Sequence, residues 1–303
     1  KQKTCTFVLS EKAGQQGRPQ GPGSEEEKQK EKAEVPHTNQ AGKTIRGTRW
    51  GRDGPLACGK GGTEDEQGFV WPDDGSLSML DDQHVKAGVW AIDTANPNAW
   101  PATLEHLKGT MADVILTQEV KKREGDDVAG AESSARGAKW NLAVEPCLVT
   151  ARDGNSAGVA VGARSHIGVS SPMTAAVNDL KEHQGRFLGR RIGASCKGGV
   201  HCGSIYCKHG VGVAAKTNLD LLQGVAGVMK QLVGPWLIGG DWNCTPAELT
   251  ATGWLRLVKG RIFAPRANAC NGKVYDFFVV ADFFKIFARA SLFIMAGGLD
   301  HGK

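Results

Sequence analysis

The chain has 303 residues, 40% of them hydrophobic and 23% charged, with a formal net charge of +5. That balance leaves room for a sizeable core, and no apolar run approaches the ~20 residues of a membrane-crossing helix, so no membrane span is expected. Residues 1–85 carry 12 Lys and Arg against 14 Asp and Glu, so the rest of the chain holds 25 basic and 18 acidic residues, a basic surplus compatible with a polyanionic partner.

Residues 10–68 are rich in Gly, Gln, Glu, Lys and Pro and include the charge run Ser24–Lys32. Such a stretch buries too little apolar surface to offset its ordering entropy. Residues 1–85 are therefore expected to be a disordered leader, with Thr6-Phe7-Val8-Leu9 too isolated to contribute. The chain starts at Lys1 with no charged-then-apolar leader, which leaves its location unread.

From Ala87 the pattern changes, and a folded domain is expected over residues 86–303. Gly88–Ile92 reads as a strand, and Pro101–Lys108 as a helix with Pro in its first turn. Strands are predicted over Ala112–Thr117, Asn141–Val144, Gly158–Val161, Phe187–Ala194 and Val200–Tyr206. Thr217–Leu232 is amphipathic, with Leu222, Val225, Met229 and Leu232 on one face of a helix. Strands over Pro235–Gly239, Val274–Val280 and Leu292–Met295 complete the series. Several strands succeed one another without a helix between them, which predicts stacked sheets flanked by helices, not a doubly wound sheet.

Two segments couple an apolar strand to polar side chains at its carboxyl end, where α/β folds build their crevices. Leu116-Thr117-Gln118-Glu119 delivers a carboxylate, which is costly to desolvate unless paired or metal-bound. Gly239-Gly240-Asp241-Trp242-Asn243-Cys244-Thr245-Pro246 places Asp241 and Asn243 two residues apart, behind glycines that permit close backbone approach.

The second segment resembles the GGDFNxxP signature of the endonuclease/exonuclease/phosphatase superfamily, and Gln118-Glu119 is similar to its LQE motif. Asn96 lies where the family carries its first-strand Asn. Ser204-Ile205-Tyr206 resembles the strand ending in a phosphate-contacting Tyr. Val274–Val280 is similar to the IDYIFVS strand, and Leu299-Asp300-His301 stands in the place of the terminal Ser-Asp-His. These matches occur in family order over about two-thirds of the chain.

The resemblance implies a four-layered α/β sandwich: two stacked, mostly antiparallel sheets flanked by helices. It implies Mg²⁺-dependent hydrolysis of a phosphodiester in one step, with Mn²⁺ as a substitute ion, Glu119, Asn96 and Asp300 near the metal, and DNA as the leading substrate. Asp241 would orient or deprotonate the attacking water, and Asn243 and Tyr206 would hold phosphate oxygens. His301 would bind or protonate the phosphoryl group, its ring fixed by Asp276. The domain is expected to be monomeric. A phosphatase of small phosphoesters or phosphoinositides and a catalytically degenerate nucleic-acid-binding module are the alternatives. The low-complexity leader and abrupt end read as a piece of a retroelement-like open reading frame.

The sequence departs from the family pattern in places. Leu299 replaces Ser, Trp242 replaces Phe or Leu, Pro97 follows Asn96, and His209 stands where many nuclease members have Asn. Eight cysteines without a CxxC pair are expected to be free thiols. The irregular spacing of Cys196, His201, Cys202, Cys207 and His209 argues against a zinc site. Gly59–Thr63 lacks phosphate-loop spacing. Arg186, Arg190 and Arg191 are candidates for a phosphate-facing edge, and the Phe277/Phe278 and Phe283/Phe284 pairs are expected in the core.

Overall fold

Every predicted strand with described residues forms, and all of them belong to one of two six-stranded sheets. The computed structural model describes residues 4–10, 63–64, 70–71, 89–172, 180, 183–193, 199–264, 273–282 and 292–295. The chain runs through β1 (Thr4–Ser10), β2 (Thr63–Glu64), β3 (Val70–Trp71), β4 (Val89–Ala95), α1 (Trp100–Gly109), β5 (Val114–Gln118) and α2 (Asp126–Gly137). There follow β6 (Trp140–Glu145), β7 (Leu148–Val149), β8 (Asn155–Ser156), β9 (Val159–Arg164), β10 (Val169–Pro172), β11 (Phe187–Ile192) and β12 (Val200–Tyr206). The last are α3 (Lys216–Gln231), β13 (Trp236–Asp241), α4 (Pro246–Ala251), α5 (Trp254–Val258), β14 (Gly260–Phe263), β15 (Asp276–Ala281) and β16 (Leu292–Met295).

The first sheet has the order β16-β1-β4-β5-β9-β6 and the second β10-β11-β12-β13-β15-β14. Pairing is antiparallel except for β4 with β5 and β12 with β13. Each parallel pair is joined by a helical crossover, α1 in the first sheet and α3 in the second, as parallel neighbours require. β2–β3 and β7–β8 are small ribbons outside the sheets.

The sheets stack face to face. Leu116, Val159 and Val161 of the first share a core with Leu188, Ile205, Ile238 and Phe278 of the second. The first sheet's outer face is covered by α1 and α2, through Leu107, Ala131 and Ala135 against Ile115, Trp140 and Ala160. Strands β5 and β12 are buried along their whole length, as expected of strands covered on both faces. The four-layered α/β sandwich implied by the sequence is the architecture observed.

One expectation is corrected. Thr6–Leu9 is not isolated: β1 pairs antiparallel with β4 from Thr4↔Ala95 to Ser10↔Val89, and with β16 on its other side. The first residues of the leader thus complete the first sheet. A seven-residue strand alone has nothing to pair with, and its partners lie some eighty residues or more away in sequence, so local composition could not reveal it.

Two glycines permit close approach, Gly240 to the neighbouring strand and Gly239 to the facing sheet. A Cβ on Gly240 would collide with the carbonyl oxygen of Ile205 in the neighbouring β12, and one on Gly239 would meet Phe278 and, across the sandwich, Leu116. The residue after Asp241 is also packing-determined. Trp242 is fully buried, stacks on Phe277 with centroids 5.2 Å apart, and donates from Nε1 to the Phe277 carbonyl at 2.9 Å. Trp therefore fills the place of a smaller apolar residue and satisfies its one polar atom internally.

Candidate active site

The two parallel pairs end on the same side of the sandwich. Asn96 follows β4 directly, Glu119 follows β5, Tyr206 ends β12 and Asp241 ends β13. Asp276, the first residue of antiparallel β15, is the register partner of Asp241, so the two side chains lie on the same face of the sheet. Five strands thus deliver polar side chains to one edge of the interface between the sheets.

Asn96 bridges the sheets. Its Nδ2 donates to Glu119 Oε1 at 3.2 Å and to Asp241 Oδ2 at 3.0 Å, while its Oδ1 accepts from the Asn98 N–H at 3.0 Å. The Asn98 amide can only donate, which fixes the orientation of the Asn96 side chain and commits both of its hydrogens to the two carboxylates.

Glu119 is held as a carboxylate. Oε1 also accepts from the Tyr206 hydroxyl at 2.6 Å, and Oε2 lies 2.8 Å from the Lys121 ammonium, which donates in addition to Asn98 Oδ1 at 2.6 Å. Burial pushes this carboxyl's pKa up, but the hydrogen bonds from Lys121, Tyr206 and Asn96 together outweigh it, and the net shift is downward. Tyr206 is driven the other way, by burial and by its bond to Glu119, so it remains a neutral phenol that donates. The Arg186 guanidinium lies 4.9 Å from the centre of the Tyr206 ring.

Asp241 shows the opposite balance. Burial raises its pKa, the hydrogen bonds from Asn96 and from the Asn243 N–H oppose the rise, and the nearby Glu119 charge adds to it; the net shift is upward. Its Oδ1 accepts from the Asn243 N–H at 3.0 Å in an Asx turn. Asn243 donates from Nδ2 to the Cys207 carbonyl at 2.8 Å, and its Oδ1 lies 2.8 Å from His209 Nδ1.

The backbone is strained here. Asn98 (φ 70°), Glu119 (φ 54°), Lys121 (φ 54°) and Asn243 (φ 47°) all occupy the left-handed region, at a cost of roughly 1–2 kcal/mol each. Such strain persists where the surroundings over-determine it, and it gathers at functional sites.

Below the carboxylates a buried strut joins the sheets. Gln118 donates from Nε2 to Ser204 Oγ at 3.0 Å and to Thr94 Oγ1 at 3.2 Å, and Ser204 donates to the Thr117 carbonyl at 2.9 Å. The side chains of Gln118, Thr94 and Ser204 are fully buried. The strut fixes the distance between the strands that present Glu119 and Tyr206.

Of the sequence-predicted residues, the structure therefore brings together Asn96, Glu119, Tyr206, Asp241 and Asn243, with Asp276 beside them. Asp300 and His301 lie outside the described residues, as do Gly59–Gly62, Cys196 and Phe283/Phe284. Tyr206 and Asn243 spend hydrogen bonds on Glu119 and Cys207, so both serve to position the site as it stands. Lys121, the Gln118–Ser204 strut and the His209–Asn243 contact form a layer that strand patterning alone does not announce. The sequence reading missed Lys121; its place two residues beyond Glu119 is the one signal that could have pointed to it.

His201 approaches the Val233 carbonyl at the end of β12 remote from His209, and the Cys202 and Cys207 thiols are pushed far up by burial. No group of three or more His, Cys, Asp or Glu able to hold a metal ion occurs among the described residues. The arginines divide: Arg186 belongs to the site, Arg190 faces the Glu145 charge, and Arg191 is the register partner of His201. Phe277 and Phe278 are core residues. Among the described residues, no helix is long and apolar enough to cross a membrane.

The model described as the Endonuclease/Exonuclease/phosphatase family matches residues 88–285. Among solved structures the chain is similar to the human nocturnin catalytic domain with bound sulfate, at 14% identity and TM-score 0.43 over 64% of this chain and 78% of that one. It is similar to an AP endonuclease from Leishmania major, at 13% identity and TM-score 0.42 over 61% and 77%. It is also similar to an endonuclease/exonuclease/phosphatase family protein from Leptotrichia buccalis, at 14% identity and TM-score 0.41 over 62% and 86%. No curated protein matches the chain.

Proposed function

Because the chain belongs to the endonuclease/exonuclease/phosphatase family, whose members hydrolyse phosphoester bonds, we propose that it is a metal-dependent phosphodiesterase acting on DNA by direct attack of water. The observation that carries this reading is the single Asn96 amide tying Glu119 of one sheet to Asp241 of the other.

Phosphodiester hydrolysis needs an activated water in line with the leaving oxygen and neutralisation of charge on the phosphoryl oxygens. Asp241 is the base. Burial lifts its pKa toward the working pH, which strengthens it as a proton acceptor, while Asn96 and the Asn243 N–H fix its oxygens in direction. Tyr206 and Asn96 keep Glu119 anionic and oriented.

The donor set suits a hard divalent cation. Glu119 offers an ionised carboxylate and Asn96 an amide oxygen, an arrangement fit for Mg²⁺, which keeps most of its waters. Lys121 would yield Glu119 Oε2 to the ion. When bound, Mg²⁺ would neutralise charge on the phosphoryl group. Asp300 would stand near it, and His301, with its ring fixed by Asp276, would meet the phosphoryl oxygens. The hydrolase domain would run from about residue 86, completed by β1, and act as a monomer.

The test is incubation of the full chain with Mg²⁺ on nicked, abasic and intact DNA, beside a panel of inositol phosphates. Strand cleavage is expected. Phosphate release from the small esters without any strand cleavage would contradict the proposal.

A further inference from the structure

Lys121 stands on a pinned stretch of backbone. Its N–H donates to the Ala157 carbonyl at 3.1 Å, and its carbonyl accepts from Asn155 Nδ2 at 3.1 Å. The next carbonyl, that of Lys122, accepts from the Cys147 N–H at 2.7 Å. Both Lys121 and Glu119 hold a left-handed φ of 54°. The part of Lys121 that can move is therefore its four-carbon stem, which is 30% exposed and ends in a compact point charge.

That charge covers the outlet of the Glu119 carboxylate. Oε1 already accepts two hydrogens, from the Tyr206 hydroxyl at 2.6 Å and from Asn96 Nδ2 at 3.2 Å, which uses both of its lone pairs. Oε2 is left for Lys121 Nζ, 2.8 Å away. A cation approaching Glu119 must therefore use Oε2. An ammonium and a divalent ion sharing one oxygen would stand within about 5 Å of each other and repel. The ammonium has a second mooring, Asn98 Oδ1 at 2.6 Å, and the Asn98 N–H donates to Asn96 Oδ1 at 3.0 Å. Lys121 is thus joined to both residues suited to a metal, to Glu119 directly and to Asn96 through Asn98.

We infer that Lys121 is a tethered cation that takes the place of the divalent ion on Glu119, and that the ion binds by displacing it from Oε2. The inference rests on the phosphodiesterase reading of the same site, and it makes Lys121 the residue that sets how tightly the protein holds its metal in the absence of substrate. Glu119 is only 17% exposed, and a carboxylate so far out of water needs a counter-charge. Without an ion the ammonium supplies that charge; with one it is redundant, and its stem lets it withdraw to Asn98 and solvent. Lys122 carries the same charge on the neighbouring residue but lies 3.8 Å from Asp127 Oδ1, so it provides a control for charge alone.

The experiment is calorimetry of the full chain with MnCl₂ in the absence of substrate. It compares wild type with Lys121→Met, Lys121→Gln, Lys121→Arg and Lys122→Met, each checked for a cooperative melt; two neutral variants are made so that either can carry the result. We expect Lys121→Met and Lys121→Gln to bind Mn²⁺ about tenfold more tightly than wild type. Lys121→Arg, which keeps the charge, and Lys122→Met should bind no more tightly than wild type, and adding Glu119→Gln to Lys121→Met should abolish the gain. Neutral variants that bind Mn²⁺ no more tightly than wild type would overturn the inference, as would a Lys122→Met that gains as much or the absence of Mn²⁺ binding from every protein. Tighter binding by the neutral variants of a protein that cleaves no phosphoester would instead sink the phosphodiesterase reading and leave the displacement standing.

Discussion

Glu119 and Asp241 end corresponding parallel strands of the two sheets and share the hydrogens of one amide, yet they are held in opposite ways. Glu119 gathers a phenol, an ammonium and an amide, and its pKa falls; Asp241 keeps only two amide hydrogens and deeper burial, and its pKa rises. Two carboxylates pushed apart in this way are suited to different work: one stays charged, and the other is poised to exchange protons. The backbone sets the difference. Glu119 is turned out by a left-handed φ to meet Lys121, whereas Asp241 stays within its strand, opposite Asp276.

The most severe way to break this division is Asp241→Asn. It removes the proposed base, and a loss on the order of 10³-fold in kcat is expected under single-turnover conditions. The same change should raise the melting temperature at neutral pH. A carboxyl whose folded pKa lies above its unfolded value favours folding at low pH, and that benefit is lost as pH rises through the folded value. The stabilising effect of Asn should therefore shrink as the pH is lowered. Unchanged melting curves at neutral pH would remove burial as the cause of the shift.

Glu119→Gln attacks the other partner. A loss on the order of 10²-fold is expected, with a weakened isotherm for Mn²⁺ in calorimetry. Glu119 also has the opposite linkage. Its depressed pKa contributes stability that is present above the unfolded pKa and lost as pH falls through the folded one. Acid unfolding of the Gln variant should accordingly be less steep than that of wild type.

How much of this was legible in the chain depends on where each residue's partner lies. Glu119, Asp241 and Asn243 follow apolar strands directly, so pattern and chemistry exposed them together. Gln118 could be placed at a strand end, but not its bond to Ser204, because two strands far apart in sequence meet only once the sheets stack. β1 escaped for the same reason. Helix α2 escaped for another: Asp126–Gly137 buries only Ala131 and Ala135, so it has no stripe of large apolar residues to betray its period. α5 is a five-residue helix, too short for periodicity, although its Trp254 is buried and donates to the Leu222 carbonyl at 2.6 Å.

Smaller changes sharpen the comparison. Gln118→Ala removes the strut and leaves buried hydroxyls short of a partner, at a cost of about 2 kcal/mol read from the urea midpoint. Tyr206→Phe keeps the ring under Arg186 but takes one donor from Glu119. Its carboxyl should rise toward the ordinary range, with about a tenfold loss of activity, less than a direct donor to the transition state would cause. A Tyr206→Phe variant as impaired as Asp241→Asn would show that the hydroxyl acts on substrate directly.

The division of labour is tested most directly by the acid limb of kcat/KM for cleavage of a defined oligonucleotide duplex, in wild type and in Asp241→Asn. The wild-type limb is expected above the ordinary aspartate range, and it should vanish from the residual activity of the variant. A limb that persists unchanged in Asp241→Asn would assign the proton to another group and contradict the account.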